Sequence, residues 1–265
     1  MRRLHLFEWE DQPWLPAVFR DFITDHLRYT QNEGMRRPVN VAIAQRLKSL
    51  LERAGTRRLV DLCAGAGGPL VNIQSILADE MGFPVEILLT DLYPNVAAFR
   101  RLEAESGGLI RGRYESTSAL DVPAELEGVR TLFTALHHFP PQQVRVILAD
   151  AARKRAPVAV FEPLERTFRM VTLMAIMTFV RGLTHTPRVG PLTLQRFLLT
   201  YVLPIAPALF AWDGTVSALR SYTADELLDL ARSATAGHYD WEAGTFAVAG
   251  PYGEMPTTFL VGVPA

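Results

Sequence analysis

The sequence predicts an α/β fold, a seven-stranded, mostly parallel sheet with helices on both faces, with an N-terminal helical cap and a helical insertion after the fifth strand. Three observations predict it. From Arg58 to Phe161 short apolar runs alternate with helical stretches, the rhythm of βα units around a parallel sheet. Near the C-terminus a helix start is followed by two strand candidates joined through a Gly- and Pro-rich stretch, which suits a closing antiparallel pair. A chain of 265 residues, 49% hydrophobic and 21% charged, is long enough and apolar enough to bury a large core.

In residues 1–56, Trp14, Leu15, Val18, Phe19, Phe22 and Ile23 recur at helical spacing, and Val41, Ile43, Ala44, Leu47, Leu50 and Leu51 do so again. Gly34 and Pro38 mark the connection between these helices, and Asn40 is the expected cap of the second. Strands are expected at 59–63, 85–90, 109–114, 129–134 and 157–161, with helices at 69–78, 95–102 and 141–153. The alternation then stops. Residues 170–180 are largely apolar, and 197–212 carry no charge. A membrane-spanning helix needs about 20 apolar residues, and Pro204 and Pro207 interrupt this run, so a span is not expected. Helices packed on the sheet edge, a hydrophobic lid over an acceptor pocket, and peripheral contact with a bilayer all fit such a segment. Thr223 and Glu226 form a capping box that starts the last helix. Strands at 239–248 and 257–263 close the chain through 250–256. The implied organisation is a cap at 1–56, a core at 57–163 and 216–265, and an apolar insertion at 164–215.

Charge excludes some functions. Lys and Arg number 27 against 28 Asp and Glu, a formal net charge of −1, so no global field draws nucleic acid to the chain. One cysteine, Cys63, precludes an intrachain disulfide and suits a reducing compartment. Glu8, Glu10 and Asp11 break up any apolar leader, and the expected location is cytoplasmic.

The chemistry gathers at strand ends. In the run from Asp61 to Gly68, small residues stand where the first strand turns into a helix, so a ligand can lie against the main chain. The dinucleotide fingerprint G-x-G-x-x-G fails, because Leu70 stands where a third glycine would follow Gly65 and Gly67. The segment resembles motif I of the class I S-adenosylmethionine-dependent methyltransferases, acidic-x-Gly-x-Gly-x-Gly, with Asp61, Gly65 and Gly67 matching and Cys63 at the first glycine. The resemblance covers about residues 58–163 and extends through the last helix and two strands. It implies a Rossmann-like sheet, S-adenosylmethionine as cofactor, and a hydrophobic small-molecule acceptor methylated on oxygen or carbon.

Further positions match in order. Asp91 closes the second strand and would accept the two ribose hydroxyls, with Leu92 beside it. Asp121 follows the third strand and resembles the acid that receives the adenine amine, with Leu120 as an apolar neighbour. Leu136, His137 and His138 follow the fourth strand and resemble the loop beside the methionine part of the cofactor. With Ala64, these residues form the implied cofactor site. His138 or His137 is the expected proton acceptor, and Glu162, after the fifth strand, would orient an acceptor or a cofactor amine. No His or Cys cluster accompanies the two histidines, so no metal is expected. A nicotinamide-dependent oxidoreductase, or a binding or membrane-peripheral protein on the same fold, are the competing readings.

Overall fold

A helix and a strand each bury one face, and in this chain they do so in two compact units. The computed structural model describes residues 1–12, 14–190, 192–235, 239–250 and 253–265.

The sheet unit is Asn32–Pro163 with Thr223–Ala265. All seven expected strands form: β1 Arg58–Asp61, β2 Glu86–Leu89, β3 Ile110–Gly112, β4 Val129–Phe133, β5 Val158–Glu162, β6 Tyr239–Gly250 and β7 Gly253–Pro264. Their order is β3-β2-β1-β4-β5-β7-β6. The first five run parallel, and β7 lies antiparallel to both β5 and β6. Gly250 pairs with Gly253, while Pro251 and Tyr252 of the expected connection lie outside the described residues.

Side chains alternate across the sheet. Leu59, Ile87, Val129, Ala159, Phe161 and Phe259 join one buried cluster with Ile43, Leu47, Leu50, Ile73 and Phe99. These come from α2 (Arg37–Ala54), α3 (Leu70–Ser75, continued by a wider turn to Glu80) and α4 (Val96–Glu105). The intervening strand residues Val60, Leu132, Val158 and Val160 are also buried, so both faces are covered. Two more helices, α5 (Pro141–Arg153) and α9 (Ala224–Thr235), pack on each other, and α9 also packs on β6 and β7. The Thr223 and Glu226 capping box forms as expected, with each residue's amide donating to the other's side chain.

Two sequence expectations change here. Asn40 does not cap α2, because a short 3-10 turn, Gly34–Arg36, leads straight into a helix that begins at Arg37. Pro38 lies in its first turn, where a missing N–H costs nothing, and Asn40 is buried inside the helix. The expected 1–56 cap is also divided, since α2 puts Val39, Ile43, Leu47 and Leu51 into the sheet unit's core.

The helical unit is Met1–Gln31 with Leu164–Tyr222. It holds α1 (Ala17–Asn32, all but its last residue), α6 (Phe168–Val189), α7 (Leu194–Phe197, continued by a wider turn to Val202) and α8 (Ile205–Arg220). Small residues let α6 and α8 approach closely: a Cβ on Gly182 would meet Pro207 and Phe210 at 2.9 Å, and one on Gly214 would meet Thr178 at 2.8 Å. Leu15, Phe22, Ile23, Ala206 and Phe210 form a small core, with Trp9, Val18 and Phe19 packed against it. Asp213 accepts the amides of Trp9 and Glu10, Arg220 pairs with Asp11 and Glu8, and Arg3 lies over the Tyr222 ring, so the N-terminal segment is tied to α8. Among the described residues no single helix is long and apolar enough to cross a membrane. Residues Leu194–Val202 and Ile205–Arg220 reach that length only together, and they are bent by 67° at Pro204.

Candidate cofactor site

The strand order sets the place. From β1 the chain moves outward through β2 to β3, then returns to the other side of β1 to form β4. In open α/β sheets, ligands bind at the carboxyl ends of strands where the order reverses in this way. Both strands at this switch end on non-glycine residues with left-handed backbone, Cys63 (φ 58°) after β1 and Thr134 (φ 52°) after β4. Such a residue costs about 1–3 kcal/mol and is held only where its surroundings require it. That turn also ends β1 at Asp61, two residues before the expected end.

Asp61 knots three strand ends together. Its Oδ1 accepts from the Thr131 hydroxyl at 2.7 Å, and its carbonyl accepts both the amide and the hydroxyl of Thr90, each at 2.8 Å. Burial raises its pKa to about 8 against the opposing Thr131 hydrogen bond, and the nearby Asp91 charge adds to the rise. Asp61 is therefore mostly protonated at neutral pH. It is 3% exposed, so it shapes the loop and is not the direct ligand contact expected of it. Ala64 is also buried, its amide on Thr90 O and its carbonyl receiving the Gly67 amide.

The two glycines do different work. A Cβ on Gly67 (φ 96°) would lie 2.3 Å from Leu102 Cδ1, so this glycine exists to let α4 pack on the loop. A Cβ on Gly65 (φ 54°) would meet nothing within 4 Å, so the loop opens there. The Gly65 amide donates to Asp91 Oδ2 at 2.9 Å, and the Tyr93 amide donates to Asp91 Oδ1 at 2.8 Å. The Asp91 carboxylate thus turns toward the glycine loop and joins the ends of β1 and β2. A carboxylate has about four acceptor positions. Leu92, 47% exposed, and Tyr93, 76% exposed, stand beside it.

The remaining expected residues divide. Asp121 is turned to the surface, where its carboxylate pairs with Lys154 Nζ at 2.7 Å and is 82% exposed. Leu120 is half-buried. Leu136 is fully buried because the turn Leu136–His138 drives its side chain into the core, so it does not line a cofactor site. Glu162 Oε1 accepts the amides of Ala135 and Leu136 at 3.1 and 2.7 Å, and Oε2 lies 2.8 Å from His137 Nδ1. Burial opposes charge on Glu162, but His137 and the Leu136 amide outweigh it and hold the pKa below the usual value. Glu162 and His137 are each 1% exposed, so they clamp the loop after β4 and do not face an acceptor. His138 is half-buried, its ring 4.3 Å from that of His137. Burial and the Asp91 and Asp61 charges push the Cys63 thiol's pKa up, which disfavours its thiolate.

Sequence reasoning missed three groups. Thr131 and Thr134 read only as β-branched strand residues, which says nothing of the Asp61 bond or of left-handed backbone. Asn32 donates from Nδ2 to Gly68 O at 2.8 Å and receives Asn72 Nδ2 at its own carbonyl, tying the loop from residues far apart in sequence.

No protein-family model and no curated protein matches the chain. Solved structures do. The citrinin polyketide synthase CMeT domain matches at TM-score 0.53 and 13% identity, over 96% of this chain and 59% of that one. The methyltransferase domain of bacterial CtHen1 matches at TM-score 0.49 and 14% identity, over 83% and 96%. The pyocyanin biosynthetic protein PhzM matches at TM-score 0.45 and 16% identity, over 79% of this chain, which spans half the length of that protein. The chain shares the Rossmann-like fold of that CMeT domain, with its parallel strands closed by an antiparallel seventh.

Proposed function

We propose that the chain is a methyltransferase that binds S-adenosylmethionine at the β1–β2 strand ends and methylates a hydrophobic small molecule on oxygen or carbon. The observation that carries this reading is the Asp91 carboxylate held against the Gly65 amide, beside a glycine with open space above it. The residues fit an adenosyl group. Gly65 admits it to the main chain, Asp91 offers acceptors to its ribose hydroxyls, and Leu92 with half-buried Leu120 gives apolar cover to its ring.

When bound, S-adenosylmethionine supplies a methyl group on a positively charged sulfur. An acceptor that attacks such a carbon in line needs alignment above all, so a rigid loop after β4 is the chain's main contribution. Glu162 supplies that rigidity through two amides and the His137 ring. His138, the more exposed histidine of the pair, takes the proton of a hydroxyl acceptor. The apolar makeup of residues 164–215 supports a hydrophobic acceptor. Two features count against the nicotinamide reading. The dinucleotide fold orders its strands 3-2-1-4-5-6, without the antiparallel β7 found here, and Leu70 is fully buried where that fingerprint needs a glycine.

Calorimetry of the purified protein with S-adenosylmethionine and S-adenosylhomocysteine tests the proposal. Binding of both is expected, weakened at least about 30-fold in Asp91→Ala, which removes a charged hydrogen-bonding partner. Heat from NADH but from neither sulfur compound would overturn it.

A further inference from the structure

The helical unit presents an apolar corner to solvent. Between Leu192 and Ile205, eight large apolar side chains are at least 40% exposed, among them Leu194 at 74%, Leu203 at 57% and Val202 at 56%. Isolated exposed leucines are ordinary, but a contiguous cluster of this kind marks a surface made to be covered. The corner is a built structure. Thr193 caps its first turn by accepting the Arg196 amide, the chain bends by 67° at Pro204, and the Tyr201 hydroxyl donates to Leu183 O at 2.8 Å. Its first turn and the Tyr201 hydroxyl are thus satisfied locally while its apolar side chains point outward.

Charge decides the occupant. From Arg166 to Trp212 the sequence holds five arginines and no carboxylate or lysine, and Arg196 among them is paired with the carboxylate of Asp25. Arg188, exposed at the end of α6, stands four residues before the corner, and Arg169 is exposed at the start of the same helix. A second copy of this chain would bring the same positive surface against itself and be repelled. An anionic bilayer offers the complement, with hydrocarbon for the leucines and acidic headgroups for the guanidinium groups. We propose that the 192–205 corner of the helical unit seats in the headgroup boundary of an anionic lipid bilayer, as a peripheral and reversible contact. Two short, bent apolar segments lie in an interface and do not span it.

Co-sedimentation of the full chain with phosphatidylcholine vesicles, with and without a phosphatidylserine fraction, tests this. Partition is expected onto both, more strongly with phosphatidylserine, and the difference should shrink as salt rises from about 0.1 to 1 M and the Debye length falls from about 10 to 3 Å. Arg188→Glu should lower partition roughly 30-fold on the anionic vesicles, at about tenfold for each 1.4 kcal/mol and about 1 kcal/mol per charge, and leave the neutral ones nearly unchanged. The double variant Leu194→Ser and Leu203→Ser should lower partition on both. These side chains are exposed, so the variants should melt as the parent does, and salt sensitivity of the unaltered chain tests the same point without any substitution. Failure to sediment with either vesicle would overturn the proposal. So would a dimer in solution that the double leucine variant abolishes, because the corner would then belong to a second copy. Cofactor binding is read separately, so loss of this proposal leaves the methyltransferase reading standing.

Discussion

The helical unit exposes eighteen large apolar side chains among the described residues, and the larger sheet unit exposes four. Three of those four, Leu92, Tyr93 and Tyr114, stand on the loops just after β2 and β3. In the sheet unit, then, apolar surface left in water is rare and gathers near the candidate cofactor site. In the helical unit it is spread along the N-terminal segment, α6 and the 192–205 corner. Similar residue types have different fates because a sheet covered on both faces closes its own core, while a few bent helices leave outward faces open. Hydrophobicity in a sequence reports burial only where the fold can complete that closure.

The sharpest test exchanges equivalent residues between the two units. Leu89→Ala, at a fully buried β2 position, should cost about 2–5 kcal/mol in urea unfolding, through lost burial and the cavity left behind. A comparable loss for Leu203→Ala, at 57% exposure, would mean that the corner is covered in the free protein and would break the contrast.

The two loop glycines sharpen the contrast within the sheet unit itself. Gly67→Ala should destabilise the chain by about 3 kcal/mol, since its methyl must displace Leu102 in a backbone region that suits glycine. Gly65→Ala pays only for the backbone, about 1 kcal/mol, yet should weaken S-adenosylhomocysteine binding more than Gly67→Ala does at temperatures where both variants are folded. Thermal melts and calorimetry on the same preparations separate the two effects, and equal stability losses would show that Gly65 also carries packing.

Much of this was legible beforehand, and the failures share a cause. Strands and helices follow from periodicity and local residue type, so they emerged with ends shifted by at most four residues. Glu162 did not: a carboxylate at a strand end looks the same whether it meets a substrate or two backbone amides from the neighbouring loop. Asp121 failed likewise, because Lys154, 33 residues further on, supplies its partner. Asn40 misled because Pro38 starts a helix as readily as it marks a connection. Exposure of the 192–205 corner was hidden because composition does not say which face of a helix finds a neighbour.

Acid and alkali give the smaller test of the two units. The pKa of Asp61 in the folded chain, about 8, lies above its unfolded value of about 3.9, so the folded state keeps a proton that the unfolded state releases. Stability should therefore fall as pH rises from 4 to 8, by at most about 1.4 kcal/mol per unit, and Asp61→Asn should flatten that limb while leaving the Thr131 hydroxyl an oxygen to bond. In the helical unit, burial with the His185 and Arg181 charges lowers His26 to about 3, below the usual 6.5, so its contribution is lost as pH falls through that window. Asp213, raised to about 7 by burial against the Trp9 amide, gives the helical unit an alkaline limb as well, and Glu162, held below its usual value by His137 and the Leu136 amide, gives the sheet unit an acid one, so the units differ in the residues that make each limb. His26→Phe keeps a ring to stack on Phe210, 4.5 Å away, and should weaken the acid limb without touching the alkaline one. If Asp61→Asn left the alkaline limb as steep as before, burial of the Asp61 proton would not be what shapes it.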